Sequence, residues 1–127
     1  MESDTGDSRS ILDISEIQRQ QREFVRERDW EQFHTPKNLV MALAGEVGEL
    51  IEHFQWLTPE EFQTLTAEPE AATAVADEMA DVLVYLLRLA DLLDIDLPAA
   101  VAAKVAKNAA KYPVEQARGV ARKYYED

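Results

Sequence analysis

Gly45-Glu-Val-Gly-Glu-Leu-Ile-Glu-His-Phe-Gln-Trp56 and Asp77-Glu-Met-Ala-Asp-Val-Leu-Val-Tyr-Leu86 decide how this sequence is read. Glu46 and Glu49 are three residues apart in the first stretch, and Glu78 and Asp81 are three apart in the second. Residues at i and i+3 of a helix share a face, so each pair presents two carboxylates on one side. An acidic pair at this spacing is usually a solvated face. Three features argue otherwise here. The flanking residues are apolar: Ala42-Leu43-Ala44 and Leu50-Ile51 around the first pair, Val82 to Leu87 after the second. None of the four acids has Lys or Arg at i±3 or i±4. Gly45 and Gly48 bracket Glu46 where each costs about 1 kcal/mol of helix propensity, which suggests close approach by another helix or a ligand.

Carboxylates that lack a local cation need one from outside. Four oxygen ligands on two facing helices suit a hard cation, and magnesium prefers carboxylate and water oxygens. A dinuclear iron or manganese bundle would want Glu-x-x-His. His53 is four residues from Glu49, so that motif is missing.

Helix signals extend outward from the two stretches. Asp13 with Glu16 reads as a capping box, predicting a helix over about 14–28. Thr35-Pro36 caps a second helix, expected to reach about Trp56. Thr58-Pro59-Glu60-Glu61 starts a short helix. Pro69 opens the next, and Ala71 to Leu93 is rich in good helix formers. Asp96-Leu97-Pro98 starts another, which Tyr112-Pro113 ends near Ala110. No stretch alternates at period two, so the expected fold class is all-α, a four-helix-bundle-like protomer. The expected organisation is a lead-in over 1–12, a helical domain over 13–112 and a tail over 113–127. The run Val82 to Leu87 is apolar on every face. So small a chain would struggle to cover it, so a homo-oligomer is expected.

The 127 residues carry 13 Lys and Arg against 25 Asp and Glu, a net charge of −12. That balance argues against duplex binding and against a membrane surface, both of which need basic footprints. There is no cysteine, which excludes disulfides and thiol chemistry. No signal-peptide layout opens the chain and no apolar run could span a bilayer, so a cytoplasmic protein is expected. The charge is segregated. From Asn38 to Leu87 there are ten acids and no Lys or Arg, while the bases flank that stretch. Such an arrangement could hold a cation and the anion it carries. Lys104, Asn108 and Lys111 recur on one helical face, either as a solvated stripe or as an anion contact. Trp30 and Trp56, the only tryptophans, lie at polar helix ends; Trp30 either caps the core or stacks on a ligand.

With these residues in view, the sequence resembles the all-α NTP pyrophosphohydrolases, the MazG-like superfamily, through its E-x-x-E and E-x-x-D motifs. It is most similar to the dCTP pyrophosphatase branch. The likeness extends through Arg28-Asp-Trp-Glu-Gln-Phe-His34, Pro36-Lys-Asn-Leu39 and Lys104 to Pro113, about residues 14–125. The resemblance implies hydrolysis of a nucleoside triphosphate, dCTP or a related pyrimidine, to monophosphate and pyrophosphate. It implies Mg²⁺ on Glu46, Glu49, Glu78 and Asp81, and a homotetramer. By position it places Trp30, His34, Trp56 and Tyr85 in the nucleotide pocket, with Lys104 and Asn108 facing phosphates or base. Gln21 stands where the branch often has histidine, which weakens the implied base preference. Glu49, between Glu46 and His53 on one face, is the candidate to orient or deprotonate the attacking water. Other readings are a relative acting on another base or nucleotide, and a non-catalytic cation-binding helical oligomer.

Overall fold

The computed structural model describes residues 11–121, so most of the expected lead-in and the last six residues of the expected tail lie outside it. All the regular structure among the described residues is helical. The long helices are α1 (Ile14–Glu27), α2 (Pro36–Glu52), α4 (Pro69–Leu92) and α5 (Leu97–Lys111). Between them lie 3₁₀ turns at Glu31–Phe33 and Pro59–Glu61 and the short α3 (Phe62–Ala67). A one-turn α6 (Val114–Ala117) follows Pro113, where a plain tail was expected. The described residues fall into two compact units that divide between Leu93 and Asp94.

Local chemistry sets most boundaries. The Asp13 carboxylate accepts from the Glu16 amide at 3.0 Å. The reciprocal half of the expected capping box is replaced: Glu16 turns to Arg19 and Gln20 on its own helix. Thr35 caps α2 by accepting from the Asn38 amide, with Pro36 at the first helical position. Glu61 reaches back to the Thr58 amide at 2.9 Å, closing the 3₁₀ turn that leads into α3. In the second unit, Asp96 accepts from the Ala99 amide at the start of α5.

Helix α2 stops at Glu52, short of the expected Trp56. The amides of His53, Phe54 and Leu57 bond to Leu50, Ile51 and Phe54 three residues back. This i→i+3 tightening is a common way for a helix end to satisfy its last carbonyls. Helix α1 ends differently. The Trp30 amide bonds to the Val25 carbonyl and the Asp29 amide to the Arg26 carbonyl, the paired bonds of a Schellman motif. Asp29 occupies its left-handed position with φ 55°, where glycine is usual. That reversal swings Trp30 back toward α1, edge-on to Phe24 with ring centroids 5.8 Å apart.

In the first unit the core lies between α1, α2 and α4. Val25, Leu39, Leu87 and Ala90 are its buried apolar residues. Gln18 donates to the Leu87 carbonyl, and Arg22 grips Asp91 with two bonds of 2.8 and 2.9 Å. These pairs advance together along both helices, so α1 runs parallel to the C-terminal half of α4. The apolar run is only partly covered. Leu87 is fully buried, yet Leu86 remains 37% exposed.

The turn after α1 is thus a conformational constraint with a measurable cost. Asp29→Val should lower stability by about 1–2 kcal/mol in urea denaturation, because a β-branched residue tolerates positive φ poorly. Asp29→Gly should be neutral or stabilising.

Candidate metal and nucleotide site

Among the described residues, helices α2 and α4 pack most extensively, and they bring the two acidic pairs together. Glu46, Glu49 and Glu78 each offer a carboxylate oxygen, all within 4.8 Å of one another. Asp81 lies one helical turn beyond Glu78 on α4, near enough to Glu46 to help raise its pKa. No ion pair among the described residues involves any of the four. Glu78 Oε1 is sealed from solvent and has no hydrogen-bond partner, the only such side-chain atom among the described residues. Leaving a charged oxygen that way costs several kcal/mol unless a proton or cation satisfies it.

The crowding shows in the protonation of Glu46. Sharing a hydrogen bond with Glu49 raises its pKa most, followed by burial, Glu49's charge and hydrogen bonds with Asp81 and Glu78. Together they push it up to about 7, so this carboxyl keeps its proton well above the usual carboxylate range and gives it up around neutrality. An orphaned oxygen, a proton trapped between acids and four hard oxygen donors all fit a divalent cation. Magnesium matches the donor set. Gly45 and Gly48 flank Glu46, and no described atom of the first unit packs against them. A Cβ built at either glycine meets nothing within 4 Å, so that space is open to a ligand or another molecule.

Beside the acids opens a cleft of about 380 Å³, lined by Gln21, Phe24, Val25, Trp30, His34, Asp81, Val84, Tyr85 and Arg88. Its parts come from α1, the turn after it, and α4. Trp30 and His34 flank the 3₁₀ turn Glu31–Phe33, and Asn38 Nδ2 ties that turn to α2 by donating to the Phe33 carbonyl. Arg28 lies over the outer Phe24 ring at 3.7 Å. Tyr85 sits one helical turn beyond Asp81. Burial, then the charge of Arg88, holds the His34 imidazole below its usual pKa, so it is neutral at pH 7.

Of the sequence-derived pocket residues, Gln21, Trp30, His34 and Tyr85 line this cleft together. Trp56 does not. It projects from the turn after α2 and is 85% exposed. Lys104 and Asn108 lie exposed on α5, in the second unit. There Lys111, and to a lesser degree Lys107, push the Lys104 ammonium below its ordinary pKa, as expected for bases crowded on one face. Sequence reasoning missed Phe24, Val84 and Arg88. The position of Arg88, as the first base after the long acidic stretch, was the available signal for it.

The MazG-like family model matches residues 42–126, and the chain belongs to that family. The dCTP pyrophosphatase 1 of Rattus norvegicus is 48% identical to it over 111 residues, 87% of this chain and 65% of that protein. The Homo sapiens dCTP pyrophosphatase 1 is 48% identical over 113 residues, 89% of this chain and 66% of that one. The chain thus spans about two-thirds of the length of these relatives. A crystal structure of a pyrophosphatase from Archaeoglobus fulgidus matches with a TM-score of 0.72 at 43% identity, over 79% of this chain and 92% of that one.

The acid cluster carries a pH signature whose sign is set by Glu46. Its folded pKa lies above the ordinary 4.5, so the stabilisation is present below that value and lost as pH rises through about 7. The melting temperature of metal-free wild type should therefore fall between pH 5 and pH 8 relative to Glu46→Gln. Millimolar Mg²⁺ at pH 8 should restore it in wild type and much less in the variant.

Proposed function

We propose that this chain is a Mg²⁺-dependent pyrophosphohydrolase that splits a nucleoside triphosphate between its α and β phosphates. The products are a monophosphate and pyrophosphate, and the preferred substrate is dCTP or a related pyrimidine deoxynucleotide. The observation that carries this reading is the place of Asp81. This side chain neighbours Glu46 of the carboxylate cluster and also lines the aromatic cleft, so a cation site and a base-sized cavity adjoin. The names of the relatives supply the substrate class.

Glu46, Glu49, Glu78 and Asp81 would hold the metal. When bound, Mg²⁺ supplies charge neutralisation for the triphosphate and activation of water. The protein's own work is positioning. Trp30 and Tyr85 offer ring faces to the base, and Gln21 and His34 offer polar groups to its edge. Glu49 is the exposed one of the three clustered glutamates and the candidate to orient or deprotonate the attacking water. The resemblance assigns Lys104 and Asn108 to the phosphates or the base; both lie on α5, where the lysines crowd on one another.

A homotetramer is part of this reading. Val40, Val47 and Ile51 on α2 are each more than a third exposed and recur at seven and four residues. Met79 and Leu86 on α4 do the same at seven. Apolar stripes of this kind usually mark an interface. Trp56, as the most exposed aromatic, would then meet a neighbouring copy or that copy's ligand. Clearance of unwanted nucleotides in the cytoplasm is the biological role that suits such an activity.

A panel of canonical and 5-substituted triphosphates with Mg²⁺ tests the activity. Pyrophosphate and monophosphate should appear, fastest from a pyrimidine deoxynucleotide. Orthophosphate release, or no turnover of any nucleotide, would refute the assignment. Glu46→Ala and Asp81→Ala should lose more than the roughly 10–100-fold typical of outer-shell changes while keeping their helicity. Trp30→Ala should raise KM far more than it lowers kcat, by about 1–3 kcal/mol in kcat/KM.

Light scattering at micromolar concentration should report an oligomer, and Val47→Glu with Met79→Glu should dissociate it. An active wild-type monomer would contradict the assembly.

A further inference from the structure

Arg88 is the buried charged residue among the described residues, and neither the metal cluster nor the base contacts require its charge. Its charge is balanced by Asp91, 3.6 Å away, and Asp91 is held in turn by Arg22. The guanidinium therefore has its counter-ion without help from the cleft. Its Nε–H nevertheless points to His34 Nδ1 at 3.1 Å.

That contact has one chemical solution. A guanidinium has donors and no acceptor, and it does not lose its proton in a protein. His34 Nδ1 must therefore be the lone-pair nitrogen. The ring is then neutral, and its single proton is on Nε2. No described residue accepts that proton, and Nε2 is not sealed from solvent. The ring lines the cleft. A free histidine would exchange between tautomers and could donate or accept at this place. Gln21, on the same cleft, can turn its amide either way. His34 alone among the polar groups that carry the base edge has its polarity fixed by a neighbour.

We propose that Arg88 is a positioning residue that locks His34 as a one-way hydrogen-bond donor. The cleft thereby selects a nucleobase that presents an acceptor there, a carbonyl oxygen or an unprotonated ring nitrogen of a pyrimidine. A base offering N–H at that point leaves two donors facing each other and is rejected. The ligand's identity rests on the nucleotide reading above; the tautomer does not.

The test has two arms. The first uses full-length protein labelled with ¹⁵N-histidine, with His53→Gln to assign the His34 signals. Long-range ¹H–¹⁵N spectra should show His34 as the Nε2–H tautomer, and Arg88→Met should release it to a mixture. A wild-type ring that is Nδ1-protonated or already mixed overturns the proposal. The second arm titrates α,β-imido-dCTP into each protein in Mg²⁺. Arg88→Met should bind about 3–10-fold more weakly, the loss of one well-placed hydrogen bond. His34→Phe should lose at least as much. His34→Gln, whose amide can replace the Nε2–H, should recover part of it. A folded Arg88→Met that binds like wild type overturns the positioning role. If wild type shows the locked tautomer but binds no nucleotide, the nucleotide reading fails and the lock stands.

Discussion

Four carboxylates gather between α2 and α4 with no ion pair to a base among the described residues, and the rest of the site is arranged around that unfavourable meeting. Like charges at this separation repel, and one buried oxygen has no partner. The metal-free protein relieves the strain in part by keeping a proton on Glu46. A divalent cation relieves it more completely, and the stability stored in that difference becomes affinity for the ion. The segregation of charge along the sequence fits this reading. A lysine within a turn of any of the four acids would neutralise the cluster and compete with the metal.

The cleft depends on the same helix. Asp81 ends the acidic face of α4, Tyr85 stands a turn further on, and Arg88 reaches the cleft wall within the following turn. One rigid element thus spaces cation, ring face and positioning charge along a single line. The opposing wall comes from the reversal after α1, where a Schellman turn with Asp29 at positive φ brings Trp30 back over Phe24. The site therefore combines a helical scaffold with one strained turn, a usual division between what holds geometry and what tunes it.

Much of this was legible in the sequence because the deciding chemistry is local. An i,i+3 pair of acids, a Thr-Pro start and an Asp cap each act within one turn, so spacing alone places them. The helix order followed from such signals. What spacing could not convey depended on distant partners. Arg88 after an apolar run reads as a surface residue; its burial requires Asp91 and the returning turn at His34. Asp29 carries no glycine to announce a left-handed residue. Trp56 was expected within a longer α2, but i→i+3 bonds closed that helix at Glu52 and left the ring in solvent. Of the apolar run Val82 to Leu87, from which an oligomer was expected, Leu86 stays part-exposed among the described residues while Leu87 is fully buried.

The central claim is that the acid cluster is a divalent-cation site, and it can be tested without turnover. Crystals of the full chain soaked in Mn²⁺ should give an anomalous peak between α2 and α4, within coordination distance of Glu46, Glu49, Glu78 and Asp81. Glu78→Gln should weaken or remove that peak and leave the helices in place. Crystals in millimolar Mn²⁺ with no peak there, or with the ion held only at unrelated surface acids, would contradict the account.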